Sequence, residues 1–98
     1  MNSILQTTKE CYICGMTYCL EQHHVLHGSR RRIADRLGLT VWLCPEHHRG
    51  ANGVHFNHQL DEALKRKAQE EYVKIHGIEE WMKIVRKNYG EVEDGKLR

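Results

Sequence analysis

With 98 residues, 40% of them hydrophobic, 29% charged and a formal charge of +2, this chain has the make-up of one small globular domain. That excludes disordered and collagen-like classes, and no apolar run approaches the ~18 residues of a membrane-spanning helix. A core of this size is marginal without a staple. Residues Met1 to Gln6 carry neither the basic segment nor the apolar stretch of a secretory signal, so the expected location is the cytoplasm.

The counts that stand out are eight histidines and four cysteines. All four cysteines and seven of the histidines fall within residues 1–58. In a reducing compartment clustered cysteine reads as metal binding before disulfide. Charge follows the same division. Residues 1–58 hold six Lys/Arg against four acids, whereas 59–98 hold nine of each, so the positive excess sits beside the histidines. The reading is an α+β domain, residues 1–58 forming its metal-bearing core and 59–98 a helical extension packed on it.

In chain order, Cys11-Tyr12-Ile13-Cys14-Gly15 has the form of a zinc knuckle, two thiolates on a tight turn. Cys19, alone between Tyr18 and Leu20, reads as a small buried apolar residue. Thr17 to Leu26 contains a strand ending near His23-His24. Arg30 to Leu37 suits a short helix with Ser29 as N-cap and Gly38 beyond its end. Leu39 to Leu43 is an apolar, β-branched second strand. Pro45 opens a short helix that carries Glu46, His47, His48 and Arg49 before Gly50 breaks it.

Beyond residue 58, Leu60, Leu64, Ala68, Tyr72 and Ile75 recur at helical spacing, with Asn57 as N-cap, Gly77 as stop and a Glu70–Lys74 pair. His76 reads as a C-terminal capping residue. A last helix places Ile78, Trp81, Met82, Val85 and Tyr89 on one face, pairs Glu79 with Lys83 and ends at Gly90. Its apolar face packs back on the core or forms a dimer interface, so the chain is read as a monomer or homodimer. Glu91 to Arg98 is a polar, fraying tail.

Cys11-x2-Cys14 and Cys44-x2-His47 are two chelating pairs about thirty residues apart. Together they complete a tetrahedral shell with no open position, the pattern of a structural zinc. His48, adjacent, is the alternative to His47. The remaining core histidines are His23-His24-x2-His27, His48 and His55-x2-His58. On a strand His23 and His24 point to opposite faces. The knuckle brings His48 near His23, and the glycine-broken loop Gly50-Ala51-Asn52-Gly53 can fold back to present His55. Three imidazoles around a divalent ion leave positions open for water and a phosphate oxygen. The plainer alternative is a set of exposed histidines contacting phosphate directly.

These motifs, in this order from Cys11 to Asn57, resemble the HNH endonucleases of the His-Me finger, or ββα-metal, superfamily. The likeness is to the small zinc-knuckle type encoded by bacteriophages and prophages. It implies a zinc-stapled ββα-metal core, with the two C-terminal helices outside the likeness, and a metal-dependent nuclease acting on DNA in a bacterial cytoplasm. Residue by residue, His23 matches the first ligand of the catalytic ion, His24 the general base and His48 the helix ligand. His55 matches the further ligand, with His58 as alternative. The ion implied is Mg²⁺, Mn²⁺, Ni²⁺ or Zn²⁺, and the products are 5′-phosphate and 3′-hydroxyl ends. Arg30, Arg31 and Arg32, close behind His27, are placed to hold flanking phosphates. The chain departs from the family at the central Asn of its name: Gly38 to Trp42 contains none, and Thr40 is the nearest polar side chain. The competing reading is a zinc-stabilised nucleic-acid-binding or recombination accessory module without catalysis.

Overall fold

Two short strands carry the site. β1 (Glu21–His24) and β2 (Thr40–Leu43) pair antiparallel, with His23 opposite Val41 and His24 opposite Thr40. The computed structural model describes residues 3–90. The tail read as frayed and the first two residues lie outside that range.

Between the strands the chain makes a 3-10 turn (Gly28–Arg30) and α1 (Arg31–Leu37). Gly38 ends α1 in the left-handed region, φ 75°, as its place in the sequence predicts. The expected N-cap at Ser29 is not made. Gly28, at φ 65°, starts the 3-10 turn first, so Ser29 lies inside that turn and Arg30 occupies the cap position. After β2, Cys44 is extended and Pro45 takes the first position of α2 (Pro45–His48), where its missing N–H costs nothing.

α3 (His58–His76) starts at Asn57, whose Oδ1 accepts the Leu60 N–H at 3.0 Å. Its buried stripe is Leu64, Ala68 and Tyr72; Ile75, read as part of that stripe, is exposed. Lys74 pairs with Glu71 rather than Glu70, which turns to Lys67. His76 stacks on Tyr72, ring centroids 4.5 Å apart, and the closing backbone bond comes from the Gly77 N–H to Val73 O.

α4 (Ile78–Ile84) is shorter than its apolar pattern suggests, and no Glu79–Lys83 pair forms among the described residues. Arg86 adopts φ 65° and turns the chain, so Tyr89 reaches the core from outside the helix. Gln69 holds that segment: its Oε1 accepts the Tyr89 N–H at 2.6 Å and its Nε2 donates to Asn88 at 2.7 Å. Trp81 is fully buried, while Met82 and Ile78 stay partly exposed.

The core is one cluster in which Val25, Leu26, Leu39 and Leu43 from the strand region meet Leu64, Ala68, Trp81 and Val85 from the helices. Cys11 and Cys44 lie in it too. Cys19, by contrast, is exposed, because its left-handed backbone (φ 56°) turns the chain at the surface. No described helix is long and apolar enough to cross a membrane.

Candidate metal centres

Two groups of ligating side chains meet on either side of α2. The first is Cys11, Cys14, Cys44 and His47. The turn after Cys11 closes through the Gly15 N–H to Cys11 O, with Gly15 at φ 82°, and the Tyr12 N–H bonds Trp42 O, which pins the turn to β2. Cys44 Sγ lies 3.3 Å from His47 Nδ1, Cys11 Sγ 3.8 Å from the same nitrogen, and Cys14 Sγ 3.8 Å from Cys44 Sγ. A tetrahedral ion about 2.3 Å from sulfur and about 2.0 Å from nitrogen sets roughly 3.5–3.8 Å between ligand atoms, so these residues could hold one. Burial pushes the Cys11 thiol up, but backbone N–H groups of Cys44, Cys14 and Ile13 outweigh it and hold it at about 6. The thiolate that a metal needs is therefore accessible near neutral pH.

The second group is His23, His48 and His55, with ligand atoms within 4.8 Å of one another. His23 is 4% exposed on the inner face of β1. Its Nε2 is buried and has no hydrogen-bond partner, the only such side-chain atom among the described residues. A nitrogen left in that state costs about 1–3 kcal/mol unless something binds it. Burial, and then the neighbouring His48, depress the His23 imidazole to about 3, which keeps it neutral and able to ligate. His48 Nδ1 lies 2.6 Å from Glu21 Oε1, leaving Nε2 for an ion. This carboxylate–histidine pairing orients a ligand and raises its basicity. Glu21 is held in turn by Arg49, and these two partners keep its carboxyl below the usual range, His48 contributing most.

His55 arrives through the loop after α2. The Val54 and His55 N–H groups bond His47 O and His48 O at 3.0 and 3.3 Å, so the loop folds back along the helix. Gly53 permits this approach: a Cβ there would stand 2.8 Å from backbone atoms of His47 and His48. Gly53→Ala is therefore expected to weaken ion binding by the imidazole group at least about tenfold while leaving the cysteine group intact. Calorimetric titration of protein already carrying one ion would show this, and equal affinity in the variant would contradict it.

The other histidines divide between two cavities. His27 and His58 share with His23 and His55 a cavity of about 330 Å³, and the His58 side chain stands outside the close group of three. His24 faces the other side of β1. It lines a separate cavity with Arg31, Arg32, Arg36 and Asp35, its Nε2 3.3 Å from Asp35 Oδ1. Strand alternation alone produces this separation. Arg31 and Arg32 are exposed there, whereas the half-buried Arg30 donates from Nε to Val85 O at 3.1 Å and ties α1 to the end of α4.

Three residues of this architecture escaped the sequence reading: Glu21, Asp35 and Asp61, the last lying 3.2 Å from His27. Glu21 carried a signal, since it precedes His23 by two positions on a strand and shares its face. Asp35 and Asp61 carried none, because their partners lie 11 and 34 residues away. Compared with known proteins, the chain matches no family model, no curated protein and no solved structure.

Proposed function

We propose that this protein is a metal-dependent endonuclease of the HNH type, with a ββα-metal core stapled by zinc at Cys11, Cys14, Cys44 and His47, and that it hydrolyses DNA phosphodiester bonds. The observation that carries the reading is the group of His23, His48 and His55 with a buried, partnerless nitrogen on His23. Its distinction from the four-ligand group matters chemically. Three protein ligands leave positions open for substrate, and four do not. A divalent ion held there would supply electrostatic stabilisation to the phosphoryl oxygens and to the leaving 3′ oxygen.

The chain's own residues then divide the work. His24 takes a proton from the attacking water, and Asp35, at its Nε2, fixes the tautomer that leaves Nδ1 as the acceptor. Thr40, the nearest polar side chain in a stretch that lacks the family's Asn, pairs with His24 across the sheet. Arg31, Arg32 and Arg36 contribute positive charge around His24 for backbone phosphates. Contacts of that kind carry little sequence information, so intrinsic target preference should be weak.

Nicking of supercoiled plasmid with Mg²⁺, Mn²⁺, Ni²⁺ or Zn²⁺ tests the reading. Wild type is expected to nick, and His24→Ala to lose about a hundredfold or more in rate while keeping its melting temperature. Equal nicking by both would remove His24 from the chemistry. DNA binding without cleavage under every ion would favour the non-catalytic module.

A further inference from the structure

The cavity containing His23 and His55 has a third working wall that the reading above does not use. His27 stands on it with its side chain 54% exposed, ring centroid 6.4 Å from that of His23, and its Nε2 3.2 Å from Asp61 Oδ1. Asp61 belongs to the first turn of α3 and its side chain is only 12% exposed. Its other oxygen meets Lys65 Nζ at 2.9 Å.

An ionised carboxylate only accepts hydrogen bonds, so the His27 nitrogen facing it carries a hydrogen and Nδ1 is left for a substrate. Burial pushes the Asp61 carboxyl up, but Lys65 and His27 outweigh that and hold it below its usual range, so it stays anionic. The groups around His27 are otherwise His23, His55, His58 and Lys65, and Asp61 is the one acid lining the cavity among the described residues.

His24 and this cavity lie on opposite faces of β1. His27, in contrast, lines the same cavity as His23 and His55, two of the imidazoles that would hold the ion. We propose that His27, held by Asp61, is the general acid that protonates the leaving 3′ oxygen, with Asp61 as its positioning residue. The proposal rests on the nuclease reading. Water oxygen bonds to phosphorus as its proton passes to His24. The phosphorus–O3′ bond breaks with its electron pair on the 3′ oxygen, which takes the Nδ1 proton of doubly protonated His27 and leaves its Nε2–H on Asp61, while His24 releases the water proton to solvent. His27 regains a proton from solvent.

The test compares two oligonucleotide duplexes, one ordinary and one with sulfur in place of the scissile 3′ oxygen, since a thiolate leaves without needing a proton. His27→Ala should slow cleavage of the ordinary strand about a hundredfold or more and the sulfur-bridged strand less than about threefold. His24→Ala should slow both. Asp61→Asn should lower kcat on the ordinary strand with KM nearly unchanged. Independently of activity, nitrogen-15 NMR should show a protected His27 Nε2–H that disappears in Asp61→Ala. Equal slowing of both strands by His27→Ala, no slowing of either, or an unchanged Nε2–H signal would overturn the proposal and leave the nuclease reading standing. A wild-type protein that binds ions but cleaves neither strand would overturn both.

Discussion

Replacing Cys44 with serine is expected to cost this protein its fold and, with it, ion binding by His23, His48 and His55, none of which is altered. Structural zinc in small domains contributes roughly 10–16 kcal/mol of apparent binding energy, against a total stability of about 5–15 kcal/mol for an ordinary domain. The coupling runs through α2. That helix has four residues, far too few to persist alone, and it bears His47 of one group and His48 of the other. The carbonyls of the same two residues hold the loop that delivers His55. Releasing Cys44 therefore frees α2, and α2 takes two of the three imidazoles with it.

Each kcal/mol shifts the melting temperature of a domain this size by roughly 4–8 °C, so a loss of about 10 kcal/mol is worth roughly 40 °C or more, and the variant is expected to show no cooperative transition above room temperature in a circular-dichroism melt. Metal analysis should find two ions per wild-type chain and none in the variant. An unchanged melting temperature would reject the knuckle as a staple. A variant that keeps full affinity at the imidazole group would reject the coupling through α2.

The second large effect concerns His23 and changes sign with the ion. In protein carrying only the knuckle ion, His23→Leu should raise stability by about 1–2 kcal/mol, because it removes a buried nitrogen that has no partner and fills the space with carbon. With a second ion in excess the order should reverse. Wild type is then stabilised by the binding free energy, about 2.7 kcal/mol at a hundred times the dissociation constant, and the leucine variant gains nothing. Thermal melts at one ion per chain and at excess ion measure both halves. A leucine variant less stable than wild type at one ion per chain would mean that the imidazole serves packing, not ligation.

The parts that were legible in the amino-acid order are those whose physics is local. Cys11-x2-Cys14 and Cys44-x2-His47 are chelating pairs by spacing, and the structure brings the four together. Asn57, Gly38 and Pro45 mark helix ends because capping depends on one residue and its immediate neighbours. The helix extended to Tyr89 and the buried Cys19 failed for the opposite reason. Periodicity gives no warning that Arg86 will turn left-handed, nor that Gln69, twenty residues earlier, will capture the Tyr89 N–H. Nor does composition show that Cys19 sits on a surface turn.

Sequence by itself thus determined the inventory: two chelating pairs, a surplus of imidazoles, two strands, and helices with identifiable ends. Tertiary structure decided which imidazoles meet. Alternation along β1 sent His23 inward and His24 outward, the glycine at position 53 let the loop close on α2, and the docking of α3 gave His27 a buried carboxylate. The physical reason is range. Ligand spacing and capping act over three or four residues, whereas the pairings that complete the site join positions 27 to 34 residues apart and exist only once the core has packed.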